Sequence, residues 1–186
     1  TERYRSQLST FQASTKKGSD ISAYLQKLDM ELLITDRTKN NRDRAEQLIQ
    51  KTNQFNLNGI RFLSADIELL LKGGGTLYTG RLKDQTGDHG EIPVCLLSPD
   101  NIIKSFVLSC RVFQRRIEYV FFSWLCRQKE LQGMEFLITE RNLPFQKFLE
   151  ESEAVTKVEN GLISLDNEKF IANINKSENL LRIHAT

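Results

Sequence analysis

Residues 76–110, TLYTGRLKDQTGDHGEIPVCLLSPDNIIKSFVLSC, decide the fold of this chain. The alternation of apolar and polar side chains that is typical of β-strands occurs there in three runs, residues 76–84, 91–98 and 102–110. The glycine-rich segment 85–90 and the Pro-Asp-Asn segment 99–101 predict turns between the runs. Strands joined by such short turns are antiparallel neighbours, so the sequence predicts a three-stranded antiparallel meander.

Helices and further strands are predicted on both sides of this meander. The helical spacing of apolar residues predicts helices over residues 40–50, 64–71, 116–132 and 144–152. Short strands are predicted over residues 30–35, 134–139, 160–166 and 170–174. Because the helix 116–132 connects two successive strands, those strands should be parallel. We therefore predict an α+β fold, an α/β/α sandwich around a mixed, largely antiparallel central sheet.

Two smaller features refine this prediction. Pro93 lies within the second strand of the meander, and proline has no backbone N–H to donate to a neighbouring strand. That strand is therefore predicted to lie at an edge of the sheet or to carry a bulge. Residues 1–28 are predicted to be a helical linker that leads in from an upstream domain, and residues 29–186 to be one folded domain.

Composition excludes several classes of function. The chain has 26 Lys and Arg against 24 Asp and Glu, a net charge of +2, whereas nucleic-acid binding needs a basic face. No apolar run reaches the roughly 18 to 20 residues that span a bilayer, and no signal peptide is visible. The three cysteines are odd in number and widely spaced, so we predict a cytoplasmic protein without a disulfide framework or a metal site.

Cys110 is the first candidate for catalysis. It is predicted at the end of the third strand, directly before a helix, and Arg111, Arg115 and Arg116 follow closely. A helix start and nearby cations both stabilise a thiolate, so a cysteine in this position can act as a nucleophile. The alternative is that Cys110 is a small buried residue on the apolar face of its strand.

His89 is the second candidate, within the segment Gly87-Asp88-His89-Gly90. An imidazole titrates near neutrality, so His89 can serve as a general base. The alternative is an exposed residue at a hairpin tip. Asp88 beside it either contributes to substrate binding or caps the turn.

Amide side chains form a third group of candidates. Asn53, Gln54 and Asn56 follow the helix 40–50, and Asn142 stands at the end of another predicted strand. Such amides can bind a hydroxylated acyl group, or they can satisfy free carbonyl groups at a helix end. The pattern is compatible with both roles.

Four segments, in this order along the chain, resemble one protein family. They are QKTNQFN at 50–56, RLKDQTGDHG at 81–90, SCRVFQRRIE at 109–118 and TERNLPF at 139–145. Together they are similar to the C-terminal, GNAT-like half of FkbH-like proteins, over roughly residues 25–152. The predicted order of strands and helices is also that of the GNAT acyltransferases.

This resemblance implies an activity and partners. FkbH-like proteins join a HAD-type phosphatase domain to a GNAT-like domain, and they load a glyceryl group onto acyl carrier protein in polyketide pathways. For this chain the resemblance implies that Cys110 holds a small hydroxylated acyl group as a thioester before transfer to the carrier thiol. The HAD-type domain would lie upstream. A HAD site needs a D-x-D-x-[TV] strand, and the segment Asp66-Ile67-Glu68 fits a helix and lacks the second aspartate, so no phosphatase activity is expected here.

The resemblance also assigns a binding role to the loop that contains Arg111, Gln114, Arg115 and Arg116. GNAT enzymes bind the pyrophosphate of acyl-CoA there with an R/Q-x-x-G-x-G/A turn. Gln114 and Arg116 occupy the two glycine positions in this chain. The departure points away from free CoA and towards the single phosphate of a carrier protein's phosphopantetheine arm, or towards the carrier's acidic surface. The alternative is a solvated basic helix start.

Two other functions stay open at this point. One is a non-catalytic module that docks a carrier protein onto the phosphatase domain, and the absence of the two glycines favours it. The other is an acetyl-CoA-dependent N-acetyltransferase, against which the same absence argues.

Overall fold

The computed structural model describes residues 18–174 and 180–186. Within them a nine-stranded sheet has the strand order β7-β8-β6-β5-β4-β3-β1-β9, and β2 pairs separately with β5. The strands are β1 (Met30–Asp36), β2 (Phe55–Asn56), β3 (Thr76–Asp84), β4 (Gly87–Leu97), β5 (Ile102–Leu108), β6 (Gly133–Glu135), β7 (Val155–Glu159), β8 (Leu162–Leu165) and β9 (Leu181–Ala185). The pairs β1–β9 and β5–β6 are parallel and the others are antiparallel. The mixed, largely antiparallel sheet is therefore confirmed.

Helices cover both faces of the sheet. They are α1 (Gly18–Lys27), α2 (Asp43–Lys51), α3 (Ser64–Lys72), α4 (Ile117–Gln128), α5 (Leu143–Ser152) and α6 (Asn167–Ile174). Successive strand residues face opposite sides: Val107 of β5 packs with α2 and α3, and Phe106 lies in the larger core with α4, α5 and α6. In that core the Phe106 ring lies 4.6 Å from the Phe122 ring of α4, centroid to centroid. Helices therefore lie on both faces of the sheet, as the order of predicted strands and helices implies.

Pro93 introduces a bulge in the interior of the sheet. The pairing between β3 and β4 passes from Thr79↔Val94 to Arg81↔Glu91, so Gly80 alone faces two residues. A Cβ atom on Gly80 would lie 2.7 Å from the Cγ atom of Pro93, which explains why glycine stands there. The predicted bulge is confirmed, whereas an edge position is not, because β4 lies between β3 and β5.

The C-terminal part departs most from the prediction. The predicted strand 160–166 is a hairpin, in which Asn160 (φ 50°) and Gly161 (φ 80°) form the turn between β7 and β8. The predicted strand 170–174 is part of α6, which begins where the Asp166 carboxylate accepts a hydrogen bond of 2.9 Å from the Lys169 N–H. β9, which the prediction lacks, pairs with β1.

Three other boundaries differ. The predicted turn 85–90 is shorter, because β4 begins at Gly87. The predicted helix 116–132 ends at Gln128, and the predicted strand 134–139 ends at Glu135. Of the predicted linker, residues 1–17 lie outside the described residues, whereas Leu25 of α1 and Leu28 directly after it pack into the larger core.

Buried amides close an opening between β5 and β6. The two strands pair only at Ile102↔Gly133 and Ile103↔Met134, and further along β5 the partner is β2. At the point of divergence the Asn58 amide donates to the backbone carbonyl of Lys104 on β5 and to that of Glu135 on β6, both at 3.0 Å. Asn58 is 4% exposed. Its side chain therefore replaces the backbone hydrogen bonds that the diverging strands lose.

Two more asparagines hold Asn58 in place. The side-chain Oδ1 atom of Asn56 accepts hydrogen bonds from the backbone N–H groups of Asn58 (3.2 Å) and Gly59 (2.9 Å). The Asn142 amide donates to the carbonyls of Asn56 (3.1 Å) and Leu137 (2.8 Å). We call the side chains of Asn56, Asn58 and Asn142 the amide bridge. The hydrogen bond from Asn142 to the Leu137 carbonyl holds the segment after β6 close to the start of α5. This accounts for the end of β6 at Glu135, four residues before the predicted end.

The amide bridge should contribute strongly to stability. We expect Asn58→Ala to lower the free energy of unfolding by about 2 kcal/mol, because it leaves two part-buried carbonyls without the donor that Asn58 supplies. Urea denaturation measures this change. Asn58→Asp, which keeps the shape but cannot donate, should be at least as destabilising.

Asn53→Ala is the matched control, since Asn53 is an exposed asparagine of the same segment. Its effect should stay below about 0.5 kcal/mol. Equal stabilities of Asn58→Ala and Asn53→Ala would contradict the role given to the bridge.

Candidate functional site

Three segments meet at one end of the sheet. They are the end of β3, the start of β4, and residues 109–116 between β5 and α4, which we call the connecting loop. Asp84 is the residue that joins them. Its carboxylate is fully buried and bonds to Arg115 of the connecting loop, and its Oδ2 atom lies 3.0 Å from His89 Nε2. We call Asp84, His89 and Arg115 the Asp84 cluster.

The Asp84 cluster unites two residues that the sequence singled out separately. The Arg115 Nη1 atom lies 3.0 Å from His89 Nε2, so a predicted general base touches a predicted anion-binding residue. Both side chains are largely covered, with 19% of His89 and 11% of Arg115 exposed. Thr86 adds a hydroxyl group that donates to Asp84 Oδ1 at 2.6 Å.

Electrostatics keeps Asp84 ionised. Burial alone raises the pKa of its carboxyl, but hydrogen bonds from Thr86 and His89 and the positive charge of Arg115 outweigh burial. The pKa of Asp84 consequently lies below its ordinary value. A buried carboxylate of this kind can orient an imidazole through one ring nitrogen and leave the other one for a substrate.

A second bulge directs His89 towards Asp84. The pairing passes from Leu82↔Gly90 to Lys83↔Asp88, so His89 is an extra residue in β4. Gly90 follows it with φ 70°, a conformation that glycine adopts without strain. Because a bulge shifts the side-chain alternation, His89 reaches the face on which Asp84 lies. His89 thus belongs to a strand, and it is not an exposed hairpin-tip residue.

Cys110 lies outside the strand in which it was predicted. β5 ends at Leu108, and Cys110 begins a short 3₁₀ turn, Cys110–Val112. Its side chain is exposed, so the expectation of a buried residue on an apolar strand face is wrong. The other two cysteines are buried, and burial raises the pKa of Cys126 to about 12 and that of Cys95 further. Among the three thiols, Cys110 is therefore the accessible one.

Gln114 and Arg116, which stand at the two glycine positions of the GNAT turn, have the left-handed backbone conformation that glycine adopts easily. Gln114 has φ 70° and Arg116 has φ 58°, both in the left-handed region that side chains disfavour. Arg116 immediately precedes α4, and no side chain caps this helix start. A left-handed residue at a functional loop is a strain that the surrounding fold must maintain. Arg111 is exposed beside Cys110.

Glu118 in the first turn of α4 is a group that the sequence did not single out. It is 9% exposed, and its Oε2 atom has no hydrogen-bond partner among the described residues. Burial raises the pKa of its carboxyl to about 7, although a hydrogen bond from its own backbone N–H and the charge of Arg116 oppose the rise. A carboxyl group at a helix start thus titrates close to neutral pH.

The remaining candidates lie elsewhere. Asp88 forms a two-pronged ion pair with Arg81, and this hydrogen bonding lowers the pKa of Asp88 to about 2. Asn53 accepts a hydrogen bond from Arg61, and Gln54 is exposed. Asn56 and Asn142 are brought together, but both side chains are buried and belong to the amide bridge.

Residues 18–174 and 180–186 contain no group of three or more His, Cys, Asp or Glu side chains that could hold a metal ion. None of their helices has the length and apolar character required to cross a membrane. Comparison of the chain with family models, with characterised proteins and with solved structures found no match.

Glu118 should make stability depend on pH. A carboxyl whose pKa is higher in the folded state than its ordinary value of 4.5 holds a proton that the unfolded chain has lost, so stability falls as pH rises to about 7. At about 1.4 kcal/mol per pH unit, we expect the free energy of unfolding to decrease by about 3 kcal/mol through this group. Chemical denaturation at about pH 5 and about pH 8 measures the decrease.

Glu118→Gln should remove this decrease, because an amide does not titrate. Glu168→Gln, which changes an exposed glutamate in the first turn of α6, should leave it intact. The same pH dependence in wild type and Glu118→Gln would show that the Glu118 carboxyl is not the group responsible.

Proposed function

We propose that this chain is an acyltransferase domain of the GNAT-like type found in FkbH-like proteins. In this proposal it transfers a small hydroxylated acyl group, of the glyceryl kind, to the thiol of an acyl carrier protein. The observation that carries the proposal is the Asp84 cluster, because it links His89 to the connecting loop, which contains the exposed Cys110. The carrier protein and an upstream HAD-type phosphatase domain are the partners it requires.

The proposed reaction has two steps. In the first, the Cys110 sulfur attacks the acyl carbonyl of an activated donor, the bond to the donor's leaving group breaks, and the thiol proton passes through His89 to that group. In the second, the carrier thiol attacks the Cys110 thioester, and its proton returns through His89 to Cys110. Asp84 positions His89 and bears the negative charge that stabilises the imidazolium formed transiently within each step.

The connecting loop is the proposed place for the carrier's phosphopantetheine phosphate. Gln114 and Arg116 provide the left-handed backbone, and as residues with side chains they allow a pyrophosphate a less close approach to that backbone than glycines would. Exposed Arg111 adds a cation that can pair with one phosphate. Arg115 contributes differently from the sequence-based expectation, because its guanidinium is bonded to Asp84.

Cys110→Ala tests the relay directly. Intact-mass measurement of the wild-type chain, incubated with an acyl donor, should show the mass of one acyl group, and addition of carrier protein should move that mass to the carrier. The variant should show neither gain. Because Cys110 is exposed, the substitution should leave the thermal melt unchanged.

Cys126→Ala, which removes the thiol of a buried cysteine, is the control, and this variant should retain transfer. Full transfer by Cys110→Ala would remove Cys110 from the mechanism.

A second candidate function is docking of the carrier protein without catalysis. It is favoured by the exposure of Arg111 and Arg116 in the loop, which suits an acidic partner surface. We expect Arg111→Glu with Arg116→Glu to weaken binding of acyl carrier protein at least about tenfold, a loss of about 1.4 kcal/mol. Calorimetric titration measures this, with Arg127→Glu at an exposed position of α4 as the charge-matched control.

Unchanged binding by the double variant would exclude the loop as the docking surface. If Cys110→Ala abolishes transfer while carrier binding persists, the chain is a catalyst and not only a docking module. Thermal stabilisation by CoA alone would instead indicate an acetyl-CoA-dependent N-acetyltransferase.

A further inference from the structure

A groove of about 320 Å³ lies between α5 and the β7–β8 hairpin. Its lining shares no residue with the Asp84 cluster or the connecting loop. Leu149 and Ile163 are buried and form its floor, and Phe136 is half-buried beside them. Ile138, with 71% of its surface exposed, and Val155, with 37%, border it. The volume is at the lower end of the range that ligand sites occupy.

The hairpin extends this apolar surface beyond the groove. The pairing passes from Val155↔Leu165 to Lys157↔Ser164, so Thr156 is an extra residue and forms a bulge. Because the bulge shifts the alternation of side chains, Val155 and Val158 both lie on the face of Ile163. Val158 is 63% exposed. β7 pairs with β8 alone, so its other edge is open within the described part of the chain.

The groove also carries uncompensated negative charge. Glu150 and Glu153 line it and are exposed, and neither has a cationic partner among the described residues. They lie at the C-terminal end of α5, whose last turn contains no basic residue. The free carbonyl groups at a helix C-terminus add to the negative potential of the two carboxylates. A cation from a partner would be attracted both by the two carboxylates and by the carbonyl groups at the helix end.

We infer that this groove binds a peptide segment of another protein that places a large apolar side chain next to Lys or Arg. The apolar side chain fits the floor at Leu149 and Ile163, and the cation pairs with Glu150 and Glu153. An extended segment suits the site better than a small molecule, because the apolar face continues along β7 to Val158. The inference does not depend on the proposed acyl transfer, whose carrier partner is acidic.

Peptide selection tests the inference. The full chain is used to select from a displayed library of random peptides of about twelve residues, and the recovered peptides are measured by fluorescence anisotropy. Recovered sequences should combine Leu, Ile, Phe, Tyr or Trp with Lys or Arg within about two positions. Their affinity should fall at least about tenfold for Ile138→Asp and for Glu153→Gly.

The variants are chosen so that folding is kept. Ile138 is mostly exposed, and Glu153 has φ 51°, so glycine at that position relieves backbone strain while it removes the carboxylate. Leu69→Asp is the control, because Leu69 is equally exposed at 74% but lies on α3. It should bind the recovered peptides as the wild type does.

Four results would overturn the inference. They are recovery of no peptide, recovery of peptides without Lys or Arg, equal binding by Ile138→Asp and wild type, and equal losses for Leu69→Asp and Ile138→Asp. Displacement of the recovered peptides by a synthetic peptide of residues 1–17 would assign the groove to this chain's own N-terminal segment and not to another protein.

Discussion

Beyond their two paired positions, the parallel strands β5 and β6 diverge and no longer form backbone hydrogen bonds with each other. The side-chain amide of Asn58 donates hydrogen bonds to a carbonyl of each strand at this point. A backbone carbonyl buried without a donor is costly, so this opening exists only because a side chain with two N–H groups lies inside it. Asn142 in turn fixes the segment that leads into α5. The position of α5, the wall of the groove beside it and the end of β6 all depend on this local substitution of side-chain for backbone bonding.

The opposite end of the sheet is organised by charge. Asp84 is buried beneath Arg115 and His89, and such a pair is stable only when each polar atom has a partner. Thr86 completes the set. The same contacts that keep the carboxylate ionised also hold the connecting loop against the sheet, which leaves the loop's left-handed residues supported. The Asp84 carboxylate therefore both holds the connecting loop in place and positions His89 for the proposed chemistry.

Local patterns in the sequence predicted the centre of the fold and failed towards its C-terminus. Alternation along β3, β4 and β5, with the short turns between them, predicted the meander. It did not predict that stretches of these strands are buried on both faces, one face in each of the two cores. The pair Asn160-Gly161 is a hairpin signal that would have divided the predicted strand 160–166. Asp166 is a helix-capping residue that would have predicted α6. β9 is harder to predict, because its partner β1 lies about 150 residues earlier.

The candidate site was predictable in its parts and not in its arrangement. His89 and Arg115 could be proposed from residue type and position, whereas Asp84, which joins them, is an ordinary polar residue at a strand end by sequence. The bulge at His89 decides which face the imidazole occupies, and a shift by one residue is invisible in an alternating pattern. Asn56 and Asn142 illustrate the converse, since polar residues that suggested a substrate site are buried within the fold.

The pairing of β1 with β9 has a consequence for synthesis on the ribosome. β1 is among the first described elements to emerge, and it can pair with β3 on one side as soon as residues 76–84 follow. Its other side stays uncovered until residues 181–185 arrive, when Arg182 also reaches Asp29 and Glu31. While residues 85–180 are being synthesised, β1 therefore has no partner strand on that side among the described residues, and such an open strand edge is the surface that chaperones protect and that aggregates recruit.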